Sequence, residues 1–166
     1  MSTIVVVGCG MMGSALSVPL CENGHTVRLV GSPLDDAIVA HGQKTNDHLT
    51  MKRKMPENVE WYFFKDVEKA MEGADLYVNG VSSFGLDWFI GEMIPRIPET
   101  LPVLSVTKGM VNLPDGTLKS YPEVFEESTN RKISFNAIGG PCTSYELADH
   151  DPVSYTHLDA ADDTPC

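Results

Sequence analysis

No apolar run in the sequence approaches the roughly 20 residues that a membrane-spanning helix needs, which excludes a membrane span. A secretory signal is missing too: Met1-Ser2-Thr3 leads straight into Ile4-Val5-Val6-Val7, with no basic region and no long apolar core. Positive charge is scarce. Twelve Lys and Arg stand against 23 Asp and Glu, a formal net charge of −11, and both nucleic acid and an anionic membrane surface would repel such a chain. The acids are scattered as on a solvated surface and not gathered into a tail. Cysteine is sparse and unpaired in spacing. Cys9, Cys21, Cys142 and Cys166 fit neither a zinc site nor a redox Cys-x-x-Cys, so they read as reduced thiols of a cytoplasmic protein, with Cys9 and Cys21 as small buried hydrophobes. His25, His41, His48, His150 and His157 form no ligand cluster, and no metal site is expected. Lys52-Arg53-Lys54 reads as a solvated loop, and Trp88 and Phe89 as core residues of a helix.

What remains is a chain of 166 residues, suited to one domain with a real core. Ile4–Val7 is a continuous β-branched run, the pattern of a strand buried on both faces of a parallel sheet. A helix follows over Met11–Glu22, closed by Asn23-Gly24. Further strands are predicted at Thr26–Val30, Val59–Phe64, Leu76–Val81, Val103–Val106 and Ile133–Ile138. Helices are predicted at Asp35–His41, Val67–Met71, Leu86–Ile94 and Tyr121–Glu127, with residues 42–58 mostly irregular. About six rounds of strand and helix imply an α/β fold, an open, doubly wound parallel sheet with helices on both faces. Residues 1–148 form this domain. Residues 149–166 have neither periodicity nor apolar anchors and read as a disordered, non-native tail.

Gly8-Cys9-Gly10-Met11-Met12-Gly13 fits Gly-x-Gly-x-x-Gly. The motif is weak alone, but here it follows a buried strand and opens a helix that leads into a second strand. Gly8 permits the tight turn, Gly10 removes a side chain where a pyrophosphate must approach, and Gly13 lets the helix pack against the sheet with its N-terminus facing the phosphates. A dinucleotide is expected. The second strand ends at Gly31-Ser32-Pro33, without the acid that holds the ribose 2′-hydroxyl of NAD. Ser32 suits a hydroxyl or a phosphate, and Asp35 and Asp36 read as first-turn helix residues favoured by the dipole. NAD and NADP both stay open, while the later loops speak against FAD.

Ligands of such sheets sit beyond the carboxyl ends of the strands. There the sequence has Val81-Ser82-Ser83, Thr107-Lys108-Gly109 and Gly139-Gly140-Pro141-Cys142-Thr143-Ser144. A lysine directly after a buried strand, with glycine beside it, puts one cation at the crevice to meet a phosphate or a hydroxyl or carbonyl oxygen. Thr143 and Ser144 can cap a helix through Glu146.

Four blocks together resemble the amino-terminal domain of glycerol-3-phosphate dehydrogenase: Gly8–Gly13, Asn23-Gly24-His25-x-Val27-Arg28-Leu29, Ser105–Gly109, and Gly140-Pro141 with Glu146-Leu147-Ala148. They span nearly all of residues 3–148 in the family's order. The resemblance implies a Rossmann domain and reversible hydride transfer between nicotinamide and carbon 2 of sn-glycerol 3-phosphate or dihydroxyacetone phosphate, a step of glycerophospholipid precursor synthesis. It implies cofactor contacts at Gly8, Gly10, Met11, Met12, Gly13, Ser32, Lys108 and Ser144, and substrate contacts at Lys108, Gly140 and Cys142. The family often has Ser or Thr at Cys142, an aromatic at Thr143 and Ala at Ser144. The family's second, helical domain, with its general acid/base lysine, is absent here, so this chain is expected to be a fragment with little or no turnover. For the full-length enzyme a homodimer is left open. Two other readings stand beside this one: a stand-alone NAD(P)-binding module, and another two-domain 2- or 3-hydroxy acid dehydrogenase.

Overall fold

The computed structural model describes residues 1–140 and 143–150. Strand β1 (Thr3–Val7) leads through the glycine turn into α1 (Met11–Glu22), then β2 (Thr26–Val30) and α2 (Asp36–Thr45). A short hairpin follows, β3 (Asp47–His48) and β4 (Arg53–Lys54), before β5 (Val59–Tyr62), α3 (Val67–Met71) and β6 (Leu76–Asn79). Helix α4 (Leu86–Trp88) widens into a π-helical stretch over Phe89–Met93. Beyond it come β7 (Val103–Ser105), a second hairpin of β8 (Met110–Asn112) and β9 (Leu118–Ser120), then α5 (Tyr121–Glu127), β10 (Phe135–Ala137) and α6 (Ser144–Asp149).

Six strands form one sheet in the order β10-β7-β6-β1-β2-β5, and every pairing is parallel. The chain winds outward from β1 through β2 to β5, then crosses back to β6 and winds outward the other way. The reversal falls between β1 and β6, which opens a crevice at their carboxyl ends. The β-branched run of β1 divides its side chains between two cores, as the period of two requires. Val5 and Val7 join Tyr77, Phe89 and Phe125 on one face; Ile4 and Val6 join Ala15, Val18 and Leu29 on the other. Arg28 of β2 is part-buried and polar. Its Nη1 donates to the carbonyl oxygens of Ala70 at 2.9 Å and Glu72 at 2.6 Å, satisfying the end of α3.

The doubly wound parallel sheet agrees with expectation, and four local readings need correction. Gly42 does not stop α2, which runs to Thr45 and is closed by Asn46 at φ 57°. The glycine is there for space, since a Cβ on it would come within 2.4 Å of the Trp61 ring. Residues 42–58, expected to be irregular, contain the β3–β4 hairpin. The β8–β9 hairpin was not expected at all. The strands expected at Val59–Phe64, Leu76–Val81 and Val103–Val106 stop one or two residues short, at Tyr62, Asn79 and Ser105, and the one expected at Ile133–Ile138 spans only Phe135–Ala137. Helix α6 runs to Asp149, and His150 caps it at φ 57°. The remainder of the expected tail, and Cys142, lie outside the described residues. No helix among the described residues is long and apolar enough to cross a membrane.

Candidate functional site

The crevice is built around the glycine turn. Gly8 has φ +108°, open to glycine at little cost, and its N–H donates to Val30 O at 2.8 Å, so the turn is pinned to the end of β2. Three backbones then meet without side chains between them. A Cβ on Gly8 would lie 2.8 Å from the carbonyl carbon of Gly80, one on Gly13 would lie 2.4 Å from Gly8 O, and one on Gly80 would lie 3.0 Å from Gly13 Cα. Gly10 is the opposite case: it is exposed, and nothing lies within 4 Å of where its Cβ would be. It precedes α1 with no side-chain cap, so the first-turn N–H groups, including those of Met11 and Met12, open on that free space. A cradle with a close-packed floor and one open wall fits a pyrophosphate.

Cys9, between the first two glycines, is held from both sides. Its N–H donates to Asp35 Oδ2 at 3.1 Å. Its carbonyl oxygen lies 2.9 Å from His48 Nε2. Because the Met51 N–H donates to His48 Nδ1 at 3.0 Å, Nε2 must carry the proton and donate to Cys9. His48 is therefore neutral. Burial lowers its pKa, outweighing the opposing pull of the Cys9 carbonyl and Asp35. Burial, and secondarily Asp35, pushes the Cys9 thiol well above its ordinary value, so it is no nucleophile. Asp35 Oδ2 also accepts the Ser32 N–H at 2.8 Å. The carboxylate thus turns away from its own helix toward the glycine turn, which corrects the reading of Asp35 as a first-turn helix residue. Ser32 itself is half-buried and its hydroxyl accepts the Leu34 N–H at 3.3 Å.

Across the crevice, the ends of β6 and β7 share a buried polar cluster. Thr107 Oγ1 donates to Val81 O at 2.7 Å and accepts from Asn79 Nδ2 at 3.3 Å, which also reaches Ser105 Oγ at 3.3 Å. The cluster fixes the backbone from which Lys108 projects, exposed, beside Gly109. Lys108 lies within electrostatic reach of Glu146, whose carboxyl is lowered first by the Thr143 hydroxyl and N–H and to a smaller degree by this lysine. Thr143 and Glu146 form the expected capping box at the head of α6. Ser144 is the half-buried first residue of that helix, which packs along α1. Gly140 is exposed at φ +135°.

The predicted residues lie in the glycine turn and first turn of α1, in the loops after β2, β7 and β10, and at the head of α6, with Cys142 outside the described residues. Sequence reasoning missed Gly80, His48 and the reach of Asp35. A glycine directly after β6 was a usable signal for the first; His48 carries no local one. Among the described residues, no group of three or more His, Cys, Asp or Glu is placed to hold a metal ion.

The sheet order, the switch point and the glycine cradle define a Rossmann-type domain. The sequence model of the family described as NAD-dependent glycerol-3-phosphate dehydrogenase N-terminus matches residues 3–163, and the chain belongs to that family. It is 30% identical over 166 residues to the glycerol-3-phosphate dehydrogenase [NAD(P)+] of Shouchella clausii, covering 98% of this chain and 47% of the relative. It is 29% identical to the NADP(+)-dependent glycerol-3-phosphate dehydrogenase of Archaeoglobus fulgidus, covering 91% of this chain and 44% of the relative. Among solved structures, glycerol-3-phosphate dehydrogenase from Coxiella burnetii superposes with a TM-score of 0.76 at 23% identity, over 92% of this chain and 45% of that one. The chain spans about half the length of the curated relatives it matches.

Proposed function

We propose that this chain is the nucleotide-binding half of an NAD(P)-dependent glycerol-3-phosphate dehydrogenase, a cytoplasmic enzyme that acts on dihydroxyacetone phosphate or sn-glycerol 3-phosphate. The observation that carries this is the cradle: Gly8, Gly13 and Gly80 in backbone contact, with the open wall of Gly10 at the head of α1. In a chain of this family, that arrangement supports pyrophosphate binding by the first-turn N–H groups. Ser32 and Asp35 lie toward the ribose that follows. Lys108, set at the crevice by the Asn79–Thr107 cluster, supplies the cation for a phosphorylated substrate and the donor for its carbon 2 oxygen.

Nicotinamide, when bound, gives or takes the hydride. The hydroxyl proton needs a separate base. The family resemblance assigns that role to a lysine of a second domain, so the 166-residue chain alone should bind dinucleotide and turn over little.

Titration with NADH, followed by nicotinamide fluorescence, tests the reading directly. Saturable binding, lost on Gly10→Val, is expected; no binding at millimolar NADH would falsify it. Where the gene's reading frame continues past residue 148, the longer product should oxidise NADH with dihydroxyacetone phosphate. Turnover of ketopantoate instead would move the protein to another dehydrogenase class.

A further inference from the structure

Resting on the dinucleotide reading, we propose that Asp35 makes this chain select NAD(H) over NADP(H). The sequence has no acid at the end of β2, which stops at Val30, and the next carboxylate comes five residues later. The fold brings it back. Asp35 Oδ2 is fixed by the N–H groups of Cys9 at 3.1 Å and Ser32 at 2.8 Å, and so bridges the glycine turn and the loop after β2. That is the corner where the ribose next to a pyrophosphate on α1 must lie. Both bonds use Oδ2, and among the described residues Oδ1 takes none. A 2′-hydroxyl can donate to it. A 2′-phosphate brings only acceptor oxygens and negative charge, and so meets repulsion where the hydroxyl meets a bond.

Among the described residues no Lys or Arg is paired with Asp35 to offset that repulsion. Between Arg28 and Lys44 the sequence has no Lys or Arg. Arg28 points to the other end of the sheet, donating to Ala70 O and Glu72 O and pairing with Glu60 at 3.4 Å. Lys44 lies in the last turn of α2. Lys52, Arg53 and Lys54 line a cleft with Tyr145 and Asp149 of α6, and Arg53 is paired with Asp149 at 2.8 Å. The dipole of α2 favours an anion at its start, but Asp35 and Asp36 already stand there. His48, whose ring feels the charge of Asp35, is neutral.

The test reads binding, not turnover. The 166-residue chain is titrated by calorimetry with NADH, NADPH, ADP-ribose and 2′-phospho-ADP-ribose. The unphosphorylated member of each pair should bind about 10- to 100-fold tighter, the worth of one charge-assisted hydrogen bond. Asp35→Asn keeps an acceptor for Cys9 and Ser32 and should shrink that ratio several-fold. Leu34→Arg, at a side chain 93% exposed and so without folding risk, should strengthen NADPH binding and leave NADH unchanged. Equal affinity of the natural chain for NADH and NADPH overturns the inference and leaves dinucleotide binding standing. An unchanged ratio in Asp35→Asn overturns it too. Failure of all four ligands to bind overturns both.

Discussion

His48 donates through Nε2 to the carbonyl oxygen of Cys9, 2.9 Å away and 39 residues earlier in the chain. The β3–β4 hairpin that carries His48 thereby holds the glycine turn from beneath, while Asp35 holds the N–H of the same residue.

This bond makes stability depend on pH. The pKa of His48 is lower in the fold than its ordinary 6.5, because burial disfavours the charged ring. The unfolded chain therefore binds the proton more readily. The contribution is complete above pH 6.5 and is lost as pH falls from there through the lower folded value. Urea denaturation at pH 7.5 and pH 5.5 should show a loss at the lower pH that shrinks in His48→Gln. Equal losses in both proteins would mean that other groups set the dependence. At pH 7.5, His48→Ala should cost about 1–3 kcal/mol, the penalty of leaving the Cys9 carbonyl and the Met51 N–H buried and unpaired.

The glycines of the turn should separate stability from binding. In Gly13→Ala the new Cβ would sit 2.4 Å from Gly8 O, with backbone on both sides and nowhere to yield. A cost of about 1–3 kcal/mol or more is expected, with binding of NADH lost as well. Gly10→Ala meets nothing within 4 Å at an extended backbone of φ −71° and ψ −179°, so its melting temperature should match the natural chain. Its NADH affinity should fall. If Gly10→Ala bound normally, the open wall would not be where phosphate approaches.

Gly42→Ala sets two effects of opposite sign against each other. Alanine is the better helix former by about 1 kcal/mol, and Gly42 lies inside α2. Its Cβ, however, would lie 2.4 Å from the ring of Trp61, which is itself buried and tied by Nε1 to Asn46 Oδ1 at 2.9 Å. Overpacking of this kind costs about 1–3 kcal/mol, so net destabilisation is expected in chemical denaturation. A stabilised variant would show that the indole can shift.

What the sequence reveals follows from how local each determinant is. The run Ile4–Val7, the Gly8–Gly13 spacing and the Asn23-Gly24 stop act within a few residues, and strand, turn and helix stand where they are read. Gly42 is misread because glycine inside a helix looks like an ending, whereas its reason is a ring 19 positions further along the chain, at Trp61. Asp35 and His48 meet Cys9 only after α2 and the hairpin have folded back over the turn. No spacing rule within one strand–turn–helix unit contains that closure. The gathering of Lys108 near α6 was legible, since both flank carboxyl ends of strands in a doubly wound sheet.

The burial of Cys9 turns the glycine turn into its own reporter. A thiol with 0% exposure, held protonated by its surroundings, does not meet an alkylating reagent while the turn is closed. Its labelling must wait for a local opening, and the rate of labelling then counts how often the turn comes apart. A ligand seated on the turn should slow that clock.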